Sequence, residues 1–196
     1  AGGRGCTVRG VCGKTDDVAA MQDLLIYLLK GIAVYGDKAR SLGVVDSEVD
    51  AFVIEGLFAT ITNADFDRER LATLARRALE LRDRLAGQFH SAYQRAHGHP
   101  FAESLPEMAT WVPADDSEDA LLLQGRVVGI LADLEMDEDA RSLRELLIYG
   151  LKGMAAYLYH AHVLGYRKDE LFGFVHEALA MTAQDAPDAD ALVGMA

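Results

Sequence analysis

Residues 23–43, DLLIYLLKGIAVYGDKARSLG, return at 145–165 as ELLIYGLKGMAAYLYHAHVLG, 122 positions later and without a gap. The match continues from EVDAFVIEGLFAT at 48–60 to ELFGFVHEALAMT at 170–182. Of the 38 positions compared across 23–60 and 145–182, 18 are identical. A stretch carried twice in one chain is one structural unit built twice, so the repeat limits the architecture before any other feature does.

The unit reads as helix. In the first copy Val18, Met21, Leu25, Leu28, Ile32, Tyr35, Ala39 and Leu42 follow at steps of three and four, which sets them on one helical stripe. Leu24, Ile26 and Leu29 widen the stripe, so burial on more than one side is expected. Thr15 or Asp16 is the expected N-cap and Gly43 the stop, giving a helix roughly 40 Å long. The second copy repeats the pattern at Ala140, Leu143, Leu147, Gly150, Met154, Tyr157, Ala161 and Leu164, ending at Gly165. A shorter helix follows each long one, over about 46–62 and 168–183. A third, from about Arg68 to His97, carries Leu71, Leu74, Ala75, Ala78, Leu81, Leu85 and Phe89 on one face. Another is expected over about 117–134, and a last one starts after Pro187. Gly31 and Gly153 hold equivalent mid-helix places, where glycine costs about 1 kcal/mol relative to alanine, so a close backbone approach is expected at both. Lys30 and Lys152 also correspond, and each is expected to pack its stem and reach water with its ammonium.

The fold class is therefore all-α: two duplicated helical bundles of about three helices each, packed into one domain, with the two long helices meeting at the pseudo-symmetry axis. The expected divisions are a Gly/Cys-rich loop (1–14), a first helical unit (15–97), a linker (98–116) holding three of the four prolines, and a second helical unit (117–196).

A net charge of −12 argues against nucleic acid and anionic membrane surfaces as partners, and suits a partner with a basic patch. No apolar run is expected to approach the roughly 18–20 residues of a membrane span. AGGRGCTVRG at the start holds no apolar signal core, so a cytoplasmic location is expected. In that compartment Cys6 and Cys12, the two cysteines, read as thiols or metal ligands rather than a disulfide. Their C-x5-C spacing alone favours one free and one packing thiol.

Motifs with a chemical mechanism are scarce. No histidine stands three residues after a glutamate, as a di-iron bundle requires. C-x-x-C-H, a dinucleotide glycine fingerprint, Gly-x-Ser-x-Gly and His-x-x-x-His are also missing. His90 and His97 share a helix face and His160 and His162 diverge; most of the histidines are expected at the surface or its boundary. His176 replaces Ile54 of the first copy. Unusual chemistry concentrates between Gly5 and Lys14.

GCTVRGVCGKT at 5–15, running into AMQDLLIYLLKGI at 20–32, resembles the start of the hybrid-cluster proteins (prismane proteins, or hydroxylamine reductases), a family related to the Ni-type carbon monoxide dehydrogenases. TNADFD at 62–67 and ELLIYGLKGMAAYLYHAHVLGY at 145–166 also look like that family, in the same order, so the resemblance covers essentially the whole chain. It implies an N-terminal helical domain cut at both ends, carrying a [4Fe–4S] cubane. Cys6 and Cys12 match the second of two cysteine pairs that would hold it. Four thiolates are normally needed, and this sequence has two. By the same resemblance the hybrid Fe–S–O cluster belongs to α/β domains beyond this chain, and no residue here touches substrate.

The implied parent reduces hydroxylamine to ammonia or nitric oxide to nitrous oxide, with electrons entering through the cubane from a partner reductase. Arg4, Arg9 and Lys14 would offset cluster charge, and the N-terminal end of the first long helix would face it. Surfaces meant for the missing domains should be left apolar and exposed, or covered by self-association. A helical scaffold that has lost its cluster, and the helical domain of a carbon monoxide dehydrogenase relative, are the alternatives.

Overall fold

A computed structural model describes residues 13–61, 65–129, 136–184 and 189–195. Among them are eight helices and no strand: α1 (Asp16–Ser41), α2 (Ser47–Ala59), α3 (Arg68–His97), α4 (Glu107–Thr110), α5 (Glu118–Gly125), α6 (Glu138–Val163), α7 (Asp169–Thr182) and α8 (Ala189–Met195). The chain is all-α, as the periodicity requires.

Local chemistry sets the ends. Asp46 accepts hydrogen bonds from the backbone N–H of Glu48 and Val49, and Asp67 from that of Arg70, so α2 and α3 start where their caps stand. Asp137 does the same for α6 through Asp139 and Ala140. Gly98 stops α3 in the left-handed region at φ 77°, where a Cβ would be strained. Gly43 and Gly165 stop the long helices in the same region. There the N–H of Val44 reaches the carbonyl of Ala39 at 2.9 Å, and that of Tyr166 reaches Ala161 at 2.9 Å. α1 and α6 are both 26 residues long and begin 122 positions apart, so the sequence repeat returns as equal helices with equal ends.

The long helices do not pack chiefly on each other, as the sequence reading expected. α1 lies against α3, α7, α5, α4 and α2, whereas α6 lies against α2, α8 and α7. α6 is seated mainly on α2, the short helix of the first repeat, and α1, besides its main partner α3, rests on α7, the short helix of the second. The core follows: Leu24, Leu25, Leu28, Leu29 and Ile32 of α1 are fully buried with Ile54 and Leu57 of α2, Leu71 and Ala78 of α3, and Ala178 and Leu179 of α7. Each such leucine contributes about 1.5–3 kcal/mol by leaving water. α1 is long and apolar enough to cross a membrane, but 89% of its most apolar window is buried by other helices, so its apolarity serves the core.

The paired glycines have parted. A Cβ at Gly31 would stand 2.1 Å from the carbonyl oxygen of Met108, the close backbone approach expected there. At Gly153 none of the described atoms lies within 4 Å, so the second half of that expectation is not met. The shortest helix, α4, sits inside the proline-rich segment read as linker and is the element that presses on Gly31.

Candidate functional site

Cys6 and Cys12 lie outside the described residues, as do Arg4 and Arg9. The described chain enters at Gly13 (φ 95°) and Lys14, so the nearest observable chemistry is the collar at the start of α1. Lys14 Nζ donates to Gln22 Oε1 at 2.5 Å and sits 5.9 Å over the Phe66 ring. The buried Gln22 passes the connection on, its Nε2 donating to the carbonyl of Asp65 at 2.8 Å. Lys14 is thus turned back onto the helix bundle. Asp17 accepts from Arg68 at 3.1 Å, and Arg68 also pairs with Glu118, which joins α1, α3 and α5 at one corner. Hydrogen bonds from Thr15 and then Arg68 hold the Asp17 carboxyl below its ordinary value.

One step along α1, Asp23 points inward. Burial pushes its carboxyl up to about 6, against the pull of Lys152 and with the added repulsion of Glu145. A Cβ on Gly129 would come within 2.8 Å of Asp23 Oδ2, so α1 and the residues after α5 close tightly over this carboxylate. Lys152 meets it from α6. Burial lowers the Lys152 ammonium, and the charge of Asp23 opposes that shift. Its Nζ donates to the carbonyl of Thr60 at 3.4 Å and lies 5.4 Å over the Tyr149 ring. Lys152 is therefore turned inward instead of reaching for water, and Lys30 is buried as well.

A second polar cluster is centred on a buried carboxylate and joins the two repeats. Asp50 of α2 is 2% exposed. Its Oδ1 accepts from Arg40 at 2.6 Å and pairs with His176 Nε2 at 2.9 Å, and its Oδ2 accepts from Arg167 at 2.5 Å. Burial alone would raise this carboxyl, but the hydrogen bonds from His176 and Arg40, with the charges around it, hold it well below the usual carboxylate range. Gly36 provides the room: a Cβ there would stand 2.2 Å from His176 Nδ1. The neighbouring void of about 10 Å³ could take one water but no substrate. This geometry fastens helices together and leaves no place for a reacting molecule.

The other histidines are packed on aromatic rings. His97 stacks on Tyr93 at 4.1 Å, His90 lies 5.2 Å from Phe89, His160 is 5.5 Å from Phe58, and His162 is 6.3 Å from Phe172. His176 departs from the expectation of a surface or boundary position. Among the described residues no group of three or more His, Cys, Asp or Glu is placed to hold a metal ion.

The sequence model of the Prismane/CO dehydrogenase family matches residues 2–196. The chain belongs to that family. Among the curated members of the prismane group, the hydroxylamine reductase of Halothermothrix orenii is 50% identical over 98% of this chain and 34% of its own length. That of Clostridium tetani is 48% identical over 100% of the chain and 37% of its own length. That of Nitratidesulfovibrio vulgaris is 51% identical over 92% and 32%. The chain spans about a third of the length of these curated relatives.

A four-thiolate prismane-type cluster does not fit the residues of this chain alone. The sequence holds two cysteines, and the described residues add no further metal-binding group.

Proposed function

We propose that this chain is the N-terminal helical domain of a hydroxylamine reductase, whose whole protein reduces hydroxylamine to ammonia or nitric oxide to nitrous oxide. The observation that carries the reading is 50% identity over 98% of the chain to a protein named for that activity. The domain's share is electron entry. Cys6 and Cys12 supply two of the four thiolates of a [4Fe–4S] cluster, which would carry electrons from a partner reductase in the cytoplasm. The reacting centre, a hybrid Fe–S–O cluster, belongs to α/β domains outside this chain, against which the helical domain packs. Neither nucleic acid nor a membrane is a partner.

What these residues do is mechanical and electrostatic. The Lys14–Gln22–Asp65 connection anchors the exit of the cysteine segment to α1 and to the turn before α3. The carboxylates Asp16 and Asp17 occupy the first turn of α1, so the positive helix end is already answered there.

The names of the relatives favour this reading over a carbon monoxide dehydrogenase domain, although the family description spans both. A cluster-free scaffold has one supporting observation, the two-cysteine count. Because this chain supplies two of the four thiolates, anaerobic reconstitution with iron and sulfide is carried out on the whole protein to separate the readings. Visible sulfide-to-iron absorbance that is lost in Cys6→Ser and Cys12→Ser supports the electron-entry role. A colourless, folded protein with the same spectrum in both variants refutes it. The isolated chain is expected to show no hydroxylamine reduction with a chemical electron donor.

A further inference from the structure

The chain leaves α3 through His97, Gly98 and His99, and both imidazoles are exposed. Gly98, at φ 77°, turns the backbone between them, and the two rings lie 6.1 Å apart between centres. Tyr93, one helical turn before His97, supports both: it stacks on His97 at 4.1 Å and meets His99 edge-on at 5.7 Å. Phe101 in turn packs edge-on against Tyr93 at 5.1 Å and against Phe89 at 5.0 Å. The pair of histidines is therefore held by an aromatic cluster on one side and open to water on the other.

Hydrogen bonds select the tautomer of each ring. His97 Nδ1 stands 3.0 Å from the carbonyl oxygen of Tyr93, and His99 Nδ1 stands 3.0 Å from that of Pro100. A carbonyl oxygen only accepts, so each Nδ1 carries the hydrogen, and in the neutral ring the lone pair is left on Nε2 of both residues. A ring N–H given to a backbone carbonyl is the arrangement that orients histidines which ligate a metal through their other nitrogen. Two imidazoles sharing one ion at about 2.0–2.1 Å from nitrogen stand roughly 5–6 Å apart between centres. The observed 6.1 Å is at the wide end of that range. Charge favours a cation here as well. This is the C-terminal end of a 30-residue helix, which carries partial negative charge, in a chain of net charge −12. Arg95 of the same last turn is two positions from His97, a spacing that puts the two side chains on different sides of the helix.

We propose that His97 and His99 form a two-histidine site for a divalent transition-metal ion of the Zn²⁺, Ni²⁺ and Cu²⁺ class, bound through the two Nε2 atoms with water in the remaining positions. Imidazole ligands suit these ions, whereas Mg²⁺ and Ca²⁺ take oxygen. His97 ends α3, and His99 opens the proline-rich segment that carries α4 onto Gly31. A bound ion thus fastens the helix end to the first residues of that segment. The inference is independent of the electron-entry role proposed above, which concerns Cys6 and Cys12.

The test titrates the chain with Zn²⁺ in mildly alkaline buffer and follows the ring signals of all six histidines by NMR, assigned from single variants. Each histidine is read separately, so Zn²⁺ taken by the cysteine thiols does not enter the result. The expected outcome is that His97 and His99 shift together at low-micromolar free Zn²⁺, ahead of the exposed His90 and His160, and that Mg²⁺ moves none of them. His97→Gln is expected to weaken binding at His99, and His99→Gln at His97, by roughly ten-fold or more, since either change removes the second point of attachment. Zn²⁺ should also raise the thermal midpoint more in the native chain than in either variant. A His97 response unaltered by His99→Gln overturns the proposal, and so does a pair that responds no earlier than His90 and His160. Shifts that need millimolar Zn²⁺ indicate an adventitious ion only and overturn it too.

Discussion

Removing the Asp50 carboxylate leaves two guanidinium groups and an imidazole facing one another without their shared acceptor. Asp50→Ala is therefore expected to cost about 3 kcal/mol or more in urea unfolding, less than a fully buried pair would lose in the worst case because Arg40 and Arg167 reach partly into water. The folded carboxyl lies below its ordinary 3.8, so its stabilisation is complete above that pH and is lost as pH falls further. Asp23 runs the other way. Its folded value of about 6 lies above 3.8, so it opposes folding most at pH above 6 and ceases to do so as pH falls towards 4. A carboxyl resonance titrating near pH 6, absent in Asp23→Asn, is the expected observation. The stability gain of the native chain between pH 7 and pH 5 should shrink in that variant. An Asp23 titrating at its ordinary value would contradict the closure over it by Gly129.

The equivalent glycines offer a matched pair of tests among the helices. Gly31→Ala drives a methyl into the Met108 carbonyl and is expected to destabilise by about 1–3 kcal/mol. Gly153→Ala meets none of the described atoms and should stabilise α6 by about 0.5–1 kcal/mol, read as a rise in thermal midpoint. The same comparison shows what periodicity could reveal. α3 could be read to the residue, because Asp67 and Gly98 are strong end signals around an unbroken apolar stripe. α4 could not, since four residues among prolines carry no period. The Asp50 cluster was hidden because its members stand 10, 117 and 126 positions away from the carboxylate. One signal was available: His176 stands where the first repeat has Ile54, a polar side chain at a core position. The reading of Cys6 and Cys12 as cluster ligands rests on family resemblance, and both residues lie outside the described residues.

At the scale of the molecule, the crossed seating of α1 on α7 and α6 on α2 makes each repeat dependent on the other. Residues 117–196 expressed alone lose both partner surfaces and are expected to be largely unfolded by circular dichroism, recovering helicity when mixed with 1–116. A stably helical 117–196 piece would show that the crossed contacts are dispensable. The intact chain is expected to unfold in one cooperative step. Crossed seating also has an evolutionary reading. It is the geometry that two separate copies of one hairpin adopt when each completes the other about a two-fold axis. Joining two such genes end to end would have tethered partners already in contact, and let the halves diverge, as at Ile54 and His176.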